Sequence, residues 1–425
     1  MTKTRDLIDI PNPVRDRAVL VGLDRPGGWE LQYEIDELAR LAQTAGAVIV
    51  AVLTQRLDRP DARTFIGKGK VEELAAVVAQ TEATVVIFDD ELTPSQQANI
   101  EEVLPDVKVV DRTALILDIF ALHAKSMEGK LQVELAQMEY LLPRLRGMWR
   151  HLERLGGGIG TRGPGETQLE TDRRLVRKRI RDLKRRLDRV AQDRDVRRKS
   201  RSRAGVYRVS LVGYTNAGKS SLLNALTDAG VLAEDQLFAT LDSTTRKLRL
   251  PDGRSVTLTD TVGFIERLPH GLVAAFKSTL DEVREADLLL HVIDAAHPQM
   301  REQIRAVESV LSEIGAGDVP VIRVYNKRDI ADPSALSRLE KRHPSAAFTS
   351  AVTGEGIDSL LELVAAQAAR DSVTMTVLVP FERGDIVRAA HENAHVVSSS
   401  HSAEGTRLVL RVPKRHTRLF EPFRT

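Results

Sequence analysis

The stretch YRVSLVGYTNAGKSSLLNAL, residues 207–226, runs from an apolar strand pattern through Gly213, Tyr214, Thr215, Asn216, Ala217, Gly218, Lys219 and Ser220 into an apolar helical pattern. GxxxxGKS set between a strand and a helix restricts the fold more than any other feature of this chain. It is the phosphate-binding loop, and it belongs to a doubly wound α/β sheet. The glycines let backbone N–H groups wrap the phosphates, Lys219 reaches the outer phosphates, and the Ser220 hydroxyl binds magnesium. Ser221 completes the set expected to touch the nucleotide there.

Two further stretches assign the base. SVTLTDTVGF, residues 255–264, carries Asp260, Thr261, Val262 and Gly263 as a DxxG element. Asp260 is expected to hold magnesium through water, and the Gly263 amide to sense the third phosphate. VIRVYNKRD, residues 321–329, supplies Asn326, Lys327, Arg328 and Asp329 in NKxD spacing. A carboxylate at the last position accepts from both N1–H and the exocyclic amine of guanine, a donor pair adenine lacks, so the expected substrate is GTP. Thr349, Ser350 and Ala351 in FTSAVTGEG suit a loop that supports the base through its backbone. Between the phosphate loop and DxxG, FATLDSTTR brings Phe238, Ala239, Thr240, Leu241 and Asp242 toward the nucleotide. Its Thr240, Thr244 and Thr245 are alternative ligands for magnesium and the third phosphate, and spacing alone does not choose among them.

A chain of 425 residues is too long for one core. Four segments follow from its patterns: 1–124, 125–204, 205–370 and 371–425. The first alternates short apolar runs with helical periods such as Leu31, Ile35, Leu38 and Leu41, which predicts a parallel sheet covered by helices, resembling a nucleotide-binding unit. Its GKGK at 67–70 precedes a helix start and reads as a plain turn rather than a phosphate site. The last segment predicts a small α+β appendage. There His391 and His395 stand four residues apart on an expected helix face, a metal-site spacing with no third ligand nearby, and read as ordinary surface histidines. With no cysteine, thiolate catalysis, iron–sulfur clusters and disulfides are excluded and a reducing compartment fits. The N-terminus lacks a signal-peptide core and no apolar run approaches a membrane span, so the expected location is cytoplasmic.

The second segment is all helical period. Leu131, Leu135, Met138, Leu142, Leu145, Met148 and Leu152 form one stripe, and Leu169, Val176, Ile180, Leu183, Leu187 and Val190 another. These predict two long helices packed as an antiparallel hairpin, with a kink or break at Pro143. The loop joining them holds Gly156, Gly157, Gly158, Gly160, Gly163 and Gly165, with Arg162 among them. Residues 172–203 contain sixteen Lys or Arg against five Asp, a local charge of +11 in a chain whose net charge is +2. The rest of the molecule is therefore acidic, and the basicity sits on one rod. Acids at i+4, which a merely solvated helix uses, do not offset it. A polyanionic partner explains such a helix, and RNA fits better than a membrane because the bulky aromatic face of an interfacial helix is missing.

Taken together, GYTNAGKSSL, FATLDSTTR, DTVGF and NKRD, with IGKGKVEEL, DRTALILDIFA, EGKLQVELAQMEYLLPRL and GGIGTRGPGETQLETDRR, resemble the HflX GTPases over about residues 17–370. The resemblance implies a translation-factor-related GTPase that binds the large ribosomal subunit, helps to split stalled or stress-inactivated ribosomes, and reaches toward the peptidyl-transferase region with its hairpin. It also implies that Thr240 is the magnesium-linked threonine. The alternative is a regulatory switch whose hairpin binds a protein effector. One position departs from the Ras-like scheme, in which a glutamine directly after DxxG orients the attacking water. Here that residue is Phe264, which cannot bond water, so slow intrinsic hydrolysis is expected. Asn216 in the phosphate loop is the expected contact for an accelerating potassium ion. The expected catalytic set is Lys219, Thr240 and Gly263, with magnesium held by Ser220 and Thr240, in a chain expected to be a monomer.

Overall fold

The computed structural model describes residues 16–26, 30–148, 164–202, 207–227, 237–238, 240–265 and 277–425. Leu152, Ala239 and the glycine-loop residues 156–163 lie outside them. The chain forms two compact units, one of Met1–Leu122 with Gln137–Lys178 and one of His123–Ala136 with Arg179–Thr425.

The first unit contains β1 (Arg17–Asp24), α1 (Leu31–Thr44), β2 (Val48–Arg56), α2 (Lys68–Thr81), β3 (Val85–Phe88), α3 (Pro94–Val103), β4 (Lys108–Asp111) and α4 (Arg112–His123). Its four strands are parallel in the order β2-β1-β3-β4. β1 is apolar along nearly its whole length because helices cover both faces, so six consecutive residues, Ala18 through Leu23, are buried. The predicted stripe of α1 is buried at Ile35, Leu38 and Leu41. The GKGK segment is a helix start whose groups are used at home. Gly67 N–H donates to Gln55 Oε1 at 2.9 Å, and Lys70 pairs with Glu73 at 2.9 Å. Arg112, 5% exposed, is held between Glu37 and Asp89, so α1, the residue that follows β3 and α4 share a charge network that loses its balance if any member is truncated.

The second unit is built on β5 (Tyr207–Gly213), α7 (Lys219–Thr227), β6 (Thr244–Arg249), β7 (Ser255–Asp260), α8 (Lys277–Arg284), β8 (Leu288–Asp294), α9 (Met300–Glu313), β9 (Val321–Asn326), α10 (Pro333–Arg342), β10 (Ala347–Phe348) and α11 (Ile357–Arg370). The sheet order is β10-β9-β8-β5-β7-β6, parallel throughout except for the edge strand β6, which runs antiparallel to β7. Val209, Leu211, Leu258, Leu290, Val292 and Val324 fill its core. Because β5, β7, β9 and β10 run the same way, the segments that follow them emerge at one edge of the sheet, where open α/β sheets place ligands. Beyond α11, β11 (Ser372–Val379), α12 (Gly384–Asn393), β12 (His395–Ser402) and β13 (Gly405–Pro413) form an antiparallel sheet with the helix packed on it. His391 and His395 therefore do not share a helix face, since α12 ends at Asn393 and His395 opens β12. Among the described residues no cluster of three His, Cys, Asp or Glu is placed to hold a metal.

Two long helices complete the chain: α5 (Met127–Met148) and, with 39 residues, α6 (Pro164–Ser202). At about 1.5 Å per residue α6 is about 58 Å long. Of the kink or break expected at Pro143, the break does not occur: α5 runs through it. Just beyond, Arg144 Nη1 donates to the Tyr140 carbonyl at 3.1 Å. Within the second unit α5 buries Leu131, Val133 and Ala136, α6 buries Ile180 and Leu183, and Arg179 Nε bonds Glu134 Oε1 at 2.6 Å. Around those two leucine-type anchors Arg177, Lys178, Arg181, Lys184, Arg185, Arg186 and Arg189 are all exposed. Among the described residues no helix is long and apolar enough to cross a membrane.

Candidate active site

The phosphate loop is shaped where it needs to be by residues without side chains. At Gly213 a Cβ would lie 2.2 Å from the Val292 carbonyl oxygen of β8. At Gly218, with φ +92°, it would lie 2.3 Å from Asn326 Nδ2. Asn216 also takes a left-handed φ of 61°, which asparagine tolerates better than most residues. With α7 starting at Lys219, the loop amides gather at a helix N-terminus, where partial positive charge attracts phosphate.

Lys219 is 7% exposed, and its Nζ donates to the Tyr214 and Gly213 carbonyls at 2.8 and 3.2 Å. Burial pulls its pKa down to about 8 against the opposing charge of Asp260. Ser220 Oγ donates to Asp260 Oδ2 at 2.7 Å and lies 2.8 Å from Thr240 Oγ1. Of the three threonines, then, Thr240 is the one beside the phosphate loop. Thr245 Oγ1 faces Thr259 Oγ1 at 3.0 Å, and Thr244 pairs with Asp260 in the β6–β7 ladder. Asp260 is fully buried, and burial raises its pKa, with the charge of Lys219 and the hydroxyls of Ser220 and Thr240 pulling the other way. Its Oδ1 has no hydrogen-bond partner. An orphaned carboxylate oxygen next to two hydroxyls is an all-oxygen donor set that fits a hard cation such as Mg²⁺.

The DxxG turn lies directly on the phosphate loop. Thr215 N–H donates to the Phe264 carbonyl at 2.7 Å, and Phe264 N–H to the Gly213 carbonyl at 3.0 Å. A Cβ on Gly263 would meet Thr215 Cα at 2.9 Å and Lys219 Nζ at 3.0 Å. Thr261 Oγ1 is bonded to the Leu211 carbonyl at 2.6 Å, and Val262 is buried. The Phe264 ring is 1% exposed, so this residue serves the site through its backbone.

On the base side, Asn326 is a staple. Its Nδ2 donates to the Ala217 carbonyl at 3.0 Å, while Oδ1 accepts from Ala351 N–H at 3.1 Å and Thr349 Oγ1 at 3.3 Å. Lys327, at φ 62°, pairs with Asp294 at 2.8 Å. Arg328 pairs with Glu355 at 3.2 Å, and Ser350 N–H is bonded to the Glu355 carbonyl at 2.9 Å. Asp329 is exposed at the edge of this loop. Three expected nucleotide contacts have other surroundings. Phe238 and Leu241 are buried anchors on either side of Thr240, each 3% exposed. Asp242 directs its carboxylate to Lys125 and Ser126 instead of the phosphate loop. Sequence reasoning missed Asp294, for which the only signal was its place at the end of the apolar strand β8.

Three consecutive stretches match known families: residues 32–121 one described as GTP-binding GTPase N-terminal, residues 123–201 GTP-binding GTPase middle region, and residues 208–327 50S ribosome-binding GTPase. The chain is 49% identical over 393 residues to the GTPase HflX of Caldanaerobacter subterraneus subsp. tengcongensis, spanning 92% of this chain and 90% of that one. It is also 49% identical over 371 residues to the GTPase HflX of Escherichia coli K12, spanning 87% of each. Among solved structures it aligns with the SsGBP and GDP complex at 25% identity and a TM-score of 0.49, over 84% of this chain and 99% of that one. A phosphate loop, a DxxG turn and an NKRD loop at one sheet edge, together with matching N-terminal and middle regions, place this chain in the HflX family of GTP-hydrolysing proteins.

Proposed function

We propose that this GTPase acts on the large ribosomal subunit, splitting or rescuing stalled ribosomes under stress or serving their assembly, as a cytoplasmic monomer. The observation that carries the reading is the exposed arginine and lysine surface of α6 around its buried Ile180 and Leu183. A rod so charged suits ribosomal RNA phosphates, with the glycine loop between α5 and α6 as its probe. The chain is then four functional parts: 1–124, the hairpin 125–204, the nucleotide domain 205–370 and the appendage 371–425.

In the nucleotide site Ser220 and Thr240 would hold Mg²⁺, with Asp260 beside them to hold it through water. When bound, the ion neutralises charge on the phosphates. Lys219 leaves the loop carbonyls to bind the outer phosphates, and Asp329 reads guanine over the Ser350 and Ala351 backbone. A third phosphate needs room between Lys219 and the Gly263 amide, so the Thr215–Phe264 hydrogen bond parts when GTP binds. That opening is the switch between nucleotide states. Phe264 cannot orient the attacking water, and K⁺ held near Asn216 would supply part of the missing stabilisation. Turnover should be faster in potassium than in sodium buffer, and Asn216→Ala should erase the difference. Equal wild-type rates in the two buffers would remove potassium from the mechanism.

The ribosomal reading is tested by GTP hydrolysis with and without purified large subunits, in the wild type and in a variant with residues 156–165 shortened. Strong stimulation that weakens with the shortened loop is expected. Affinity for the subunit should also fall about a thousandfold between about 50 and 200 mM salt if six or more phosphates are contacted. Absent stimulation, or binding insensitive to salt, would favour a protein effector for the hairpin.

A further inference from the structure

We propose that Asp242, Ser126 and Gly129 form a clasp that positions Thr240, so that the start of α5 sets the magnesium site. The proposal rests on Thr240 being the magnesium-linked threonine. The Asp242 carboxylate accepts three hydrogen bonds from a segment 116 and 117 residues away: Lys125 N–H at 2.8 Å and Ser126 N–H at 2.6 Å on Oδ2, and the Ser126 hydroxyl at 2.5 Å on Oδ1. Ser126 in turn caps α5, its Oγ accepting from Gly129 N–H at 2.8 Å while its carbonyl accepts the first helical bond, from Lys130 N–H, at 3.0 Å. An anion at this place answers both the free amides and the positive end of the helix.

Gly129 is the part of the clasp that local helix chemistry does not explain. Glycine inside a helix is a poor choice beside alanine. Here a Cβ would lie 2.6 Å from Asp242 Oδ1 and 3.1 Å from Ser126 Oγ, so a side chain requires the carboxylate to shift away from α5. The helix gives up propensity at this position to let Asp242 approach. Two residues before Asp242 stands Thr240, whose hydroxyl is 2.8 Å from Ser220 Oγ. Leu241 between them is 3% exposed and leaves the short segment little slack. Holding Asp242 against α5 therefore holds Thr240 against the cation site, and Asp242 is a positioning residue that never touches nucleotide. It also gives the start of α5 a hydrogen-bonded connection to the segment that carries Thr240.

The test is steady-state GTP hydrolysis across a Mg²⁺ titration, with GDP affinity and the thermal midpoint as folding controls, for Gly129→Ala, Asp242→Asn, the double variant and Thr240→Ala. Gly129→Ala, a substitution that strengthens an ordinary helix, should raise the Mg²⁺ needed for half-maximal rate about tenfold, the equivalent of one charge-assisted hydrogen bond. Asp242→Asn should do the same, and the double variant should be no worse than either single one, because both remove one clasp. GDP affinity should hold, since the guanine and phosphate loops are untouched. Unchanged Mg²⁺ dependence in Gly129→Ala and Asp242→Asn, with Thr240→Ala inactive, would overturn the clasp and leave the magnesium assignment standing. Additive losses in the double variant would also overturn it. Normal turnover in Thr240→Ala would overturn the assignment on which the clasp depends.

Discussion

Lys219→Ala should lower GTP turnover about a thousandfold, at the upper end of what removing one preorganised donor from a developing phosphate charge costs. The ammonium is buried, and its present partners are two carbonyls of its own loop, Tyr214 and Gly213. Those are replaceable partners. Burial already lowers the pKa to about 8, so the free enzyme holds this cation at a cost that the phosphates then offset. The thermal midpoint of nucleotide-free Lys219→Ala should accordingly stay level or rise while activity disappears. Lys219→Arg should not rescue, because a planar guanidinium does not fit the space of a buried ammonium. The pH dependence has a definite sign. Below about pH 8 the free lysine is charged and affinity is flat, whereas above it binding takes up a proton and affinity for GDP falls with rising pH. Nucleotide titrations at pH 7 and pH 9 read this directly, and the dependence should be absent in Lys219→Ala. A variant that keeps half of wild-type turnover would remove Lys219 from the phosphate contacts.

The parts of the site that sequence made legible are those whose chemistry forces a local pattern. Gly213 and Gly218 are readable because backbone and Asn326 approach too closely for a Cβ. The apolar runs alternating with helical periods announced the parallel sheet of the first unit for the same reason, since strands covered on both faces have no polar alternation to show. What stayed hidden depends on distant partners. Spacing left Thr240, Thr244 and Thr245 equivalent, and distant partners separate them: Thr240 stands beside Ser220, whereas the β6–β7 register draws Thr244 and Thr245 into a ladder. Asp242 read as a nucleotide contact because its real partners, Lys125 and Ser126, are more than a hundred residues earlier. The histidine pair failed at a boundary: an i, i+4 relation between His391 and His395 means something only if one helix contains both, and the chain turns into β12 first.

Asp329→Asn should convert a GTP-dependent enzyme into one that prefers xanthosine triphosphate. Guanine presents two donors, N1–H and its 2-amino group, to a carboxylate that accepts both. An asparagine amide offers one acceptor and one donor, so the 2-amino group then faces an N–H and two charge-assisted bonds are lost. Affinity for GDP should fall about a hundred- to a thousandfold on that account. Xanthine keeps N1–H but carries a carbonyl in place of the amine, which is the complement of the asparagine amide. The exposed position of Asp329 makes this exchange tolerable for the fold, unlike Asn326, whose amide joins Ala217 to Ala351 and is 1% exposed. Because Lys219, Ser220, Thr240 and Gly263 are untouched, the loss belongs to binding shared by ground and transition states. The variant should therefore show a raised KM for GTP with kcat nearly unchanged at saturation, and kcat with xanthosine triphosphate close to that of the wild type with GTP. Competition of a fluorescent GDP by GDP and by xanthosine diphosphate measures the exchange, and an undiminished preference for GDP would mean that another residue reads the base. The same variant bears on the ribosomal reading. Stimulation by large subunits that follows xanthosine triphosphate in Asp329→Asn, and GTP in the wild type, ties the stimulated turnover to this one site.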